Sequence, residues 1–180
     1  DQAAEIVVIS EEPHGIYSRP MLDHYLSGAV GASRLSYRPA TYYARHNVQP
    51  LLSRRVTAIR PVEHEVKTAD GAVIPYDRLL LATGGAPIVP PIPGMEGEGV
   101  FTSSRLDDAQ ALLRHLQDRE VRRAVVLGGG MIGIKVTDAL ARRGIGVTMV
   151  ELAPRILNAA LDETASRMMT QVLAGESVEV

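Results

Sequence analysis

The sequence has no cysteine and no tryptophan, and a single phenylalanine. Without a thiol, these 180 residues hold no structural disulfide, no thiolate zinc site, no iron–sulfur ligand and no redox-active dithiol. Lysine is almost missing too: Lys67 and Lys135 are the two lysines among nineteen basic residues, a compositional bias toward arginine. The net charge of −2 and pI of 6.2 leave no general positive field, so neither nucleic acid nor an anionic membrane is an expected partner. No apolar run approaches the roughly 20 residues of a membrane span, and no charged-then-apolar leader opens the chain. A cytoplasmic location is therefore the expectation. The chain starts at Asp1 and not at Met, which leads us to expect residues upstream. What is present is an apolar fraction of 46%, enough to build the core of one large domain or two small ones.

Short β-branched runs alternate with helical patterns. Ile6-Val-Val-Ile9 reads as a buried parallel strand, followed at once by Glu11 and Glu12. A helix is expected from about Pro20 to Leu26, ending near Gly28. Residues 55–60, 65–68 and 72–74 read as an antiparallel meander, with Asp70-Gly71 as a hairpin turn. Leu79-Leu-Leu-Ala82 reads as a further buried strand running into Thr83-Gly84-Gly85. The proline- and glycine-rich stretch from 87 to 99 reads as a linker. Beyond it a helix is expected over Asp107–Gln117, capped by Ser103 or Ser104. A strand at 124–127, a helix at 131–143, a strand at 147–150 and a helix at 162–173 follow. This alternation predicts parallel α/β construction.

The sharpest motif is Gly128-Gly-Gly130-Met-Ile-Gly133, placed between an expected strand and an expected helix, with Glu151 lying 18 residues past its last glycine. That spacing fits the dinucleotide-binding fingerprint. Gly128 makes the tight turn off the strand and Gly130 lets the backbone approach a pyrophosphate. Gly133 lets the helix pack close to the sheet, while the helix N-terminus stabilises phosphate charge. Glu151 can accept hydrogen bonds from ribose hydroxyls and would repel a 2′-phosphate, which favours NADH over NADPH.

The strand ending in Glu11 repeats the form of the strand ending in Glu151. Gly128 precedes its acid by 23 residues, and the same count back from Glu11 falls upstream of Asp1. The first copy thus reads as the tail of a second dinucleotide unit, and two such units suggest FAD beside NAD(H).

Taken together, Glu12-Pro-His-Gly-Ile-Tyr-Ser-Arg-Pro-Met-Leu22, Tyr76-Asp-Arg-Leu-Leu-Leu-Ala-Thr-Gly84 and the glycine motif through Arg155 resemble the FAD- and NAD(P)-dependent pyridine nucleotide–disulfide oxidoreductase superfamily. The branch most similar is that of NADH:rubredoxin and ferredoxin reductases and the flavin module of nitrite reductases. The resemblance implies two Rossmann-like dinucleotide-binding domains of α/β class, both incomplete here, with the small antiparallel meander in the first. The FAD-binding part would span residues 1–103 and the NAD(H)-binding part residues 104–180. It further implies that Glu11 binds the FAD adenosine ribose and that Arg19 and Pro20 lie on the flavin side. Val56 would meet the adenine through its backbone, and Ala82, Thr83 and Gly84 would line the FAD cleft. Gly128, Gly130, Ile132, Gly133 and Glu151 would bind NADH. No side chain is assigned a catalytic role and no metal site is expected.

Two positions depart from the pattern. Many relatives of the rubredoxin-reductase type carry Lys and Glu where this chain has His24 and Lys135. A cation in the first turn of a helix opposes the helix dipole, so Lys135 is expected to meet an anionic group, either a cofactor phosphate or a carboxylate, or to be merely solvated. The missing cysteine selects the thiol-free branch, in which NADH reduces FAD and electrons pass to a rubredoxin, a ferredoxin or a nitrite reductase centre. A homodimer is compatible with this reading. The competing readings are an NAD(H)-binding fragment without FAD or activity, and a plain single-Rossmann dehydrogenase.

Overall fold

The computed structural model describes residues 4–176 and 178–180. In chain order the elements are β1 (Ile6–Ile9), a 3-10 turn at Arg19–Met21, α1 (Leu22–Ser27), a second 3-10 turn at Ala32–Arg34, α2 (Tyr42–Arg45), β2 (Val48–Leu51), β3 (Val56–Arg60), β4 (Glu65–Thr68) and β5 (Val73–Pro75). They continue with α3 (Leu106–Asp118), β6 (Arg123–Leu127), α4 (Met131–Ala141), β7 (Gly146–Val150), α5 (Glu163–Gly175) and β8 (Val178–Glu179). Two units result: Asp1–Tyr17 with Ser36–Gly85, and Ser18–Leu35 with Ala86–Val180.

In the first unit β1 pairs with β2 in parallel, in register from Ile6–Val48 to Ile9–Leu51. The chain then turns back on itself: the Arg54 N–H donates to the Ser10 carbonyl at 2.8 Å and the Ser53 N–H to the Glu12 carbonyl at 3.2 Å. β3, β4 and β5 form the expected antiparallel meander, with an irregularity between Val56 and Ala58. Asp70-Gly71 makes its turn. The Asp70 carboxylate accepts from the Thr68 hydroxyl and from Arg54, each at 2.5 Å, and Gly71 takes the positive φ of +89° that a side chain would resist. The Thr68 hydroxyl, followed by the Ala72 N–H and the Arg54 charge, holds the Asp70 carboxyl below its ordinary pKa.

The expected strand at Leu79–Ala82 is not formed. The segment is irregular, and Leu80 is 87% exposed. A run of leucines supplies apolar side chains but not the neighbouring backbone a strand must bond to, and no described strand lies in register with it.

In the second unit β6, β7 and β8 pair in parallel in that order. One face of this sheet meets α4 and α5 in a core of Leu140, Ile145, Val147, Met149, Ile156, Leu173 and Val178. The alternation of β7, with Val147 and Met149 buried, is the period-2 pattern of a sheet face turned to its helices. Val125 and Leu127 alternate to the other face and are exposed. Helix α1 ends at Gly28, whose φ of +83° is a left-handed cap. Helix α3 has Arg105 and not a serine at its N-cap: Asp108 accepts from the N–H groups of Ser104 and Arg105, at 2.8 and 3.1 Å. Ser104 Oγ donates to the same carboxylate at 3.2 Å.

Candidate nucleotide-binding site

The glycine turn joins β6 to α4. Gly128 takes φ of +105° and its N–H donates to the Val150 carbonyl at 2.8 Å, which seats the turn on β7. A Cβ on Gly128 or Gly130 would meet nothing within 4 Å, so open space lies over both. Gly133 is the opposite case. A Cβ there would sit 1.8 Å from the Gly128 carbonyl oxygen, so the first turn of α4 packs directly on the start of the loop. Met131 and Ile132 are exposed at this end of the helix.

Glu151 follows β7 and returns to the turn. Its carboxylate accepts from the Gly129 N–H at 2.5 Å and the Ala153 N–H at 2.7 Å. The bond from Ala153, then that from Gly129, hold the carboxyl below its ordinary pKa; burial opposes them, and a weaker bond from Leu152 assists. These bonds do not fill a carboxylate's four acceptor positions, which leaves room for a ribose hydroxyl.

Gly129 was not singled out by the motif, yet the site depends on it. A Cβ there would come 2.7 Å from Ile156 Cγ2 and 3.2 Å from Glu151 Oε2, and its carbonyl accepts from the Leu157 N–H at 2.7 Å. The run of three glycines was the signal: the fingerprint demands two of them and leaves the middle one unexplained. The strap after Glu151 is tied down in turn by the buried Ser166, whose Oγ donates to the Ile156 carbonyl at 2.7 Å. Ser166→Ala leaves that carbonyl unpaired, with an expected loss of about 1–3 kcal/mol by chemical denaturation.

Of the three longest helices, α3 and α5 have carboxylates at their N-termini, Asp108 and Asp162. Helix α4 has neither a side-chain cap nor an acidic residue in its first turn. Its unpaired amide N–H groups are therefore open to a phosphate oxygen. The uncapped helix, the open space over Gly128 and Gly130 and the anchored Glu151 fit a dinucleotide.

The remaining residues fall in both units. Glu11 lies just past β1 with its carboxylate 3.6 Å from the Arg55 guanidinium, which places it beside the start of β3 at Val56. Glu12, next to it, is buried and accepts from the Tyr17 hydroxyl at 2.6 Å. Ala82, Thr83 and Gly84 are exposed and irregular, with Gly84 at φ of +68°. These residues belong to the first unit, whereas Arg19 and Pro20, in the exposed 3-10 turn before α1, belong to the second, with the glycine motif. His24 is exposed. Lys135 does meet a carboxylate: its Nζ lies 3.2 Å from Asp23 Oδ2 and donates to the Pro20 carbonyl at 3.0 Å.

A parallel sheet with a glycine turn into an uncapped helix, closed by an acid at the next strand end, defines a Rossmann-type dinucleotide-binding protein. The family model for pyridine nucleotide-disulphide oxidoreductases matches residues 1–180, and the chain belongs to that family. It is 34% identical over 179 residues to the nitrite reductase [NAD(P)H] large subunit of Klebsiella oxytoca, covering 99% of this chain and 18% of that subunit. It is 31% identical over 174 residues to rubredoxin-NAD(+) reductase of Pseudomonas putida, covering 96% of this chain and 45% of that enzyme. Among solved structures, the covalent putidaredoxin reductase–putidaredoxin complex matches with a TM-score of 0.86 at 30% identity, over 97% of this chain and 42% of that one. The chain thus spans less than half the length of each of these relatives. No helix among the described residues is long and apolar enough to cross a membrane.

Proposed function

We propose that this chain is the nucleotide-binding part of an FAD-dependent oxidoreductase that accepts hydride from NADH and passes electrons to a small redox metalloprotein. The observation that carries the reading is the Glu151 carboxylate held on the glycine turn by Gly129 and Ala153. On this reading Gly128, Gly130, Ile132 and Gly133 receive the NADH pyrophosphate at the N-terminus of α4, and Glu151 takes the adenosine ribose. Glu11, with Val56 beside its Arg55 partner, would hold the adenosine end of FAD, Ala82–Gly84 would line its cleft, and Arg19 and Pro20 would lie toward the flavin. Residues 1–103 would serve FAD and residues 104–180 NADH.

When bound, FAD supplies the two-electron acceptance and one-electron release that no side chain of this protein can provide. The chain's own residues bind and orient. The α4 amides neutralise phosphate charge, Glu151 orders the ribose, and no protein acid or base is assigned to the hydride step. Support for the acceptor class comes from the kinds of protein the relatives are, a rubredoxin reductase and a nitrite reductase subunit among them.

A visible spectrum of the purified protein tests the reading. Absorbance near about 450 nm that bleaches anaerobically on adding NADH is the expected result. A colourless protein that still changes NADH fluorescence would reduce the function to nucleotide binding alone. Loss of both signals would overturn the proposal.

A further inference from the structure

Helix α1 is six residues long, too short to hold its place by its own hydrogen bonds. It comes from the first part of the sequence but packs with α4 and α3, within the second unit. Leu22 and Leu26 are buried on it, and Leu106, Ala109 and Leu113 are buried on α3. Apolar contact of this kind fixes a distance but little else, since it does not depend on direction.

Direction comes from two cations, one on α4 and one just past its end. Near its start, Lys135 Nζ donates to the Pro20 carbonyl at 3.0 Å and pairs with Asp23 Oδ2 at 3.2 Å. Past its end, Arg143 Nε donates to the Leu26 carbonyl. The two bonds grip the two ends of α1. The Asp23 side chain is 13% exposed and its Oδ1 is buried with no hydrogen-bond partner among the described residues, so Lys135 is the cation answering a largely desolvated carboxylate. Removing the cation from such a buried carboxylate costs more than breaking an exposed ion pair, because the remaining charge is left unanswered. It also accounts for a lysine placed against the helix dipole, two residues past the glycine turn.

We propose that Lys135 is a positioning residue: by holding Pro20 and Asp23 it locks the Arg19–Pro20 segment to the helix that receives the NADH pyrophosphate. The consequence for catalysis rests on the function proposed above. There, Arg19 and Pro20 lie toward the flavin, and the lock fixes where they stand relative to α4 within the second unit. A misplacement of about 1 Å can cost a reaction 100-fold.

The test compares wild type, Lys135→Met and Lys135→Arg in the purified holoprotein. Lys135→Met is expected to slow flavin reduction by NADH by about 10-fold or more, with the NADH dissociation constant changed by less than about twofold, since uniform binding is untouched. Lys135→Arg, which keeps a donor and a charge, is expected to recover most of the rate. Amide hydrogen exchange supplies a readout independent of flavin: in Lys135→Met the amides of residues 22–28 exchange faster, while those of β6 and β7 keep their protection. Unchanged exchange over 22–28 overturns the lock. Faster exchange with an unaltered reduction rate overturns its part in hydride transfer. A wild-type protein whose flavin NADH does not reduce sinks the function instead, and the exchange comparison still decides the lock.

Discussion

Gly133→Val is expected to lower NADH affinity about 100-fold or more, roughly 2.7 kcal/mol, and to cost about 1–3 kcal/mol of stability through overpacking. The reason is a single distance. A Cβ at position 133 would lie 1.8 Å from the Gly128 carbonyl oxygen, well inside contact range, and valine adds two methyl groups to it. That oxygen is part of the backbone and cannot swing aside like a side chain. Either Gly128 leaves its bond to the Val150 carbonyl or α4 moves off the turn. Both displace the uncapped amides of residues 131–133 from the phosphate position. NADH titration by fluorescence and thermal melting measure the two effects separately. Gly130→Ala is the control: its Cβ meets nothing within 4 Å and its φ of −79° suits any residue, so the fold is expected to tolerate it. An unaltered NADH affinity in Gly133→Val would sink the assignment of the turn.

The difference between these two glycines bears on how much the sequence could reveal. The turn, its flanking strand and helix and the acid 18 residues on are local in sequence, and local chemistry sets them: backbone freedom at Gly128, close packing at Gly133, a carboxylate at a strand end. All were legible. The meander was legible for the same reason, since Asp70-Gly71 carries its own turn chemistry. Leu79–Ala82 failed because a strand is a relation between segments, and its apolar run says nothing about what lies alongside. The two-residue β8 and the four-residue α2 are too short to leave a periodic pattern. The Asp23–Lys135 pair joins residues more than a hundred positions apart, and it required knowing that 18–35 packs with the second unit. The sequence left a phosphate, a carboxylate and plain solvation all open for Lys135, and only the fold decides among them. Gly129 was hidden in plain view, because its restriction comes from Ile156, which reaches the turn only through the fold.

Glu151→Arg is expected to raise the ratio of NADPH to NADH affinity by about 100-fold, again near 2.7 kcal/mol. In the native site the carboxylate is fixed by the Gly129 and Ala153 amides, with its remaining acceptor positions free for ribose hydroxyls. A 2′-phosphate would meet this charge at short range, and like charges held near a protein surface repel by some kcal/mol. Arginine removes the repulsion, offers charge-assisted bonds to phosphate and frees the two amides that Glu151 had occupied. NADH should weaken at the same time, since the ribose loses its acceptor. Titration of both nucleotides on the same preparation measures the ratio, and an unchanged ratio would remove Glu151 from the site. Acid dependence supplies a second, independent sign. Because the folded protein holds this carboxyl below its ordinary value of 4.5, Glu151 contributes stability that is present above that value and lost as pH falls through the lowered one. Wild type should therefore bind NADH at pH 5 as it does at pH 7. Wild-type stability should fall more steeply than that of Glu151→Arg as the pH drops below 4.5, because only the wild type has this carboxylate to protonate. Parallel acid limbs for the two proteins would show that the bonds to Gly129 and Ala153 do not hold the carboxylate in solution.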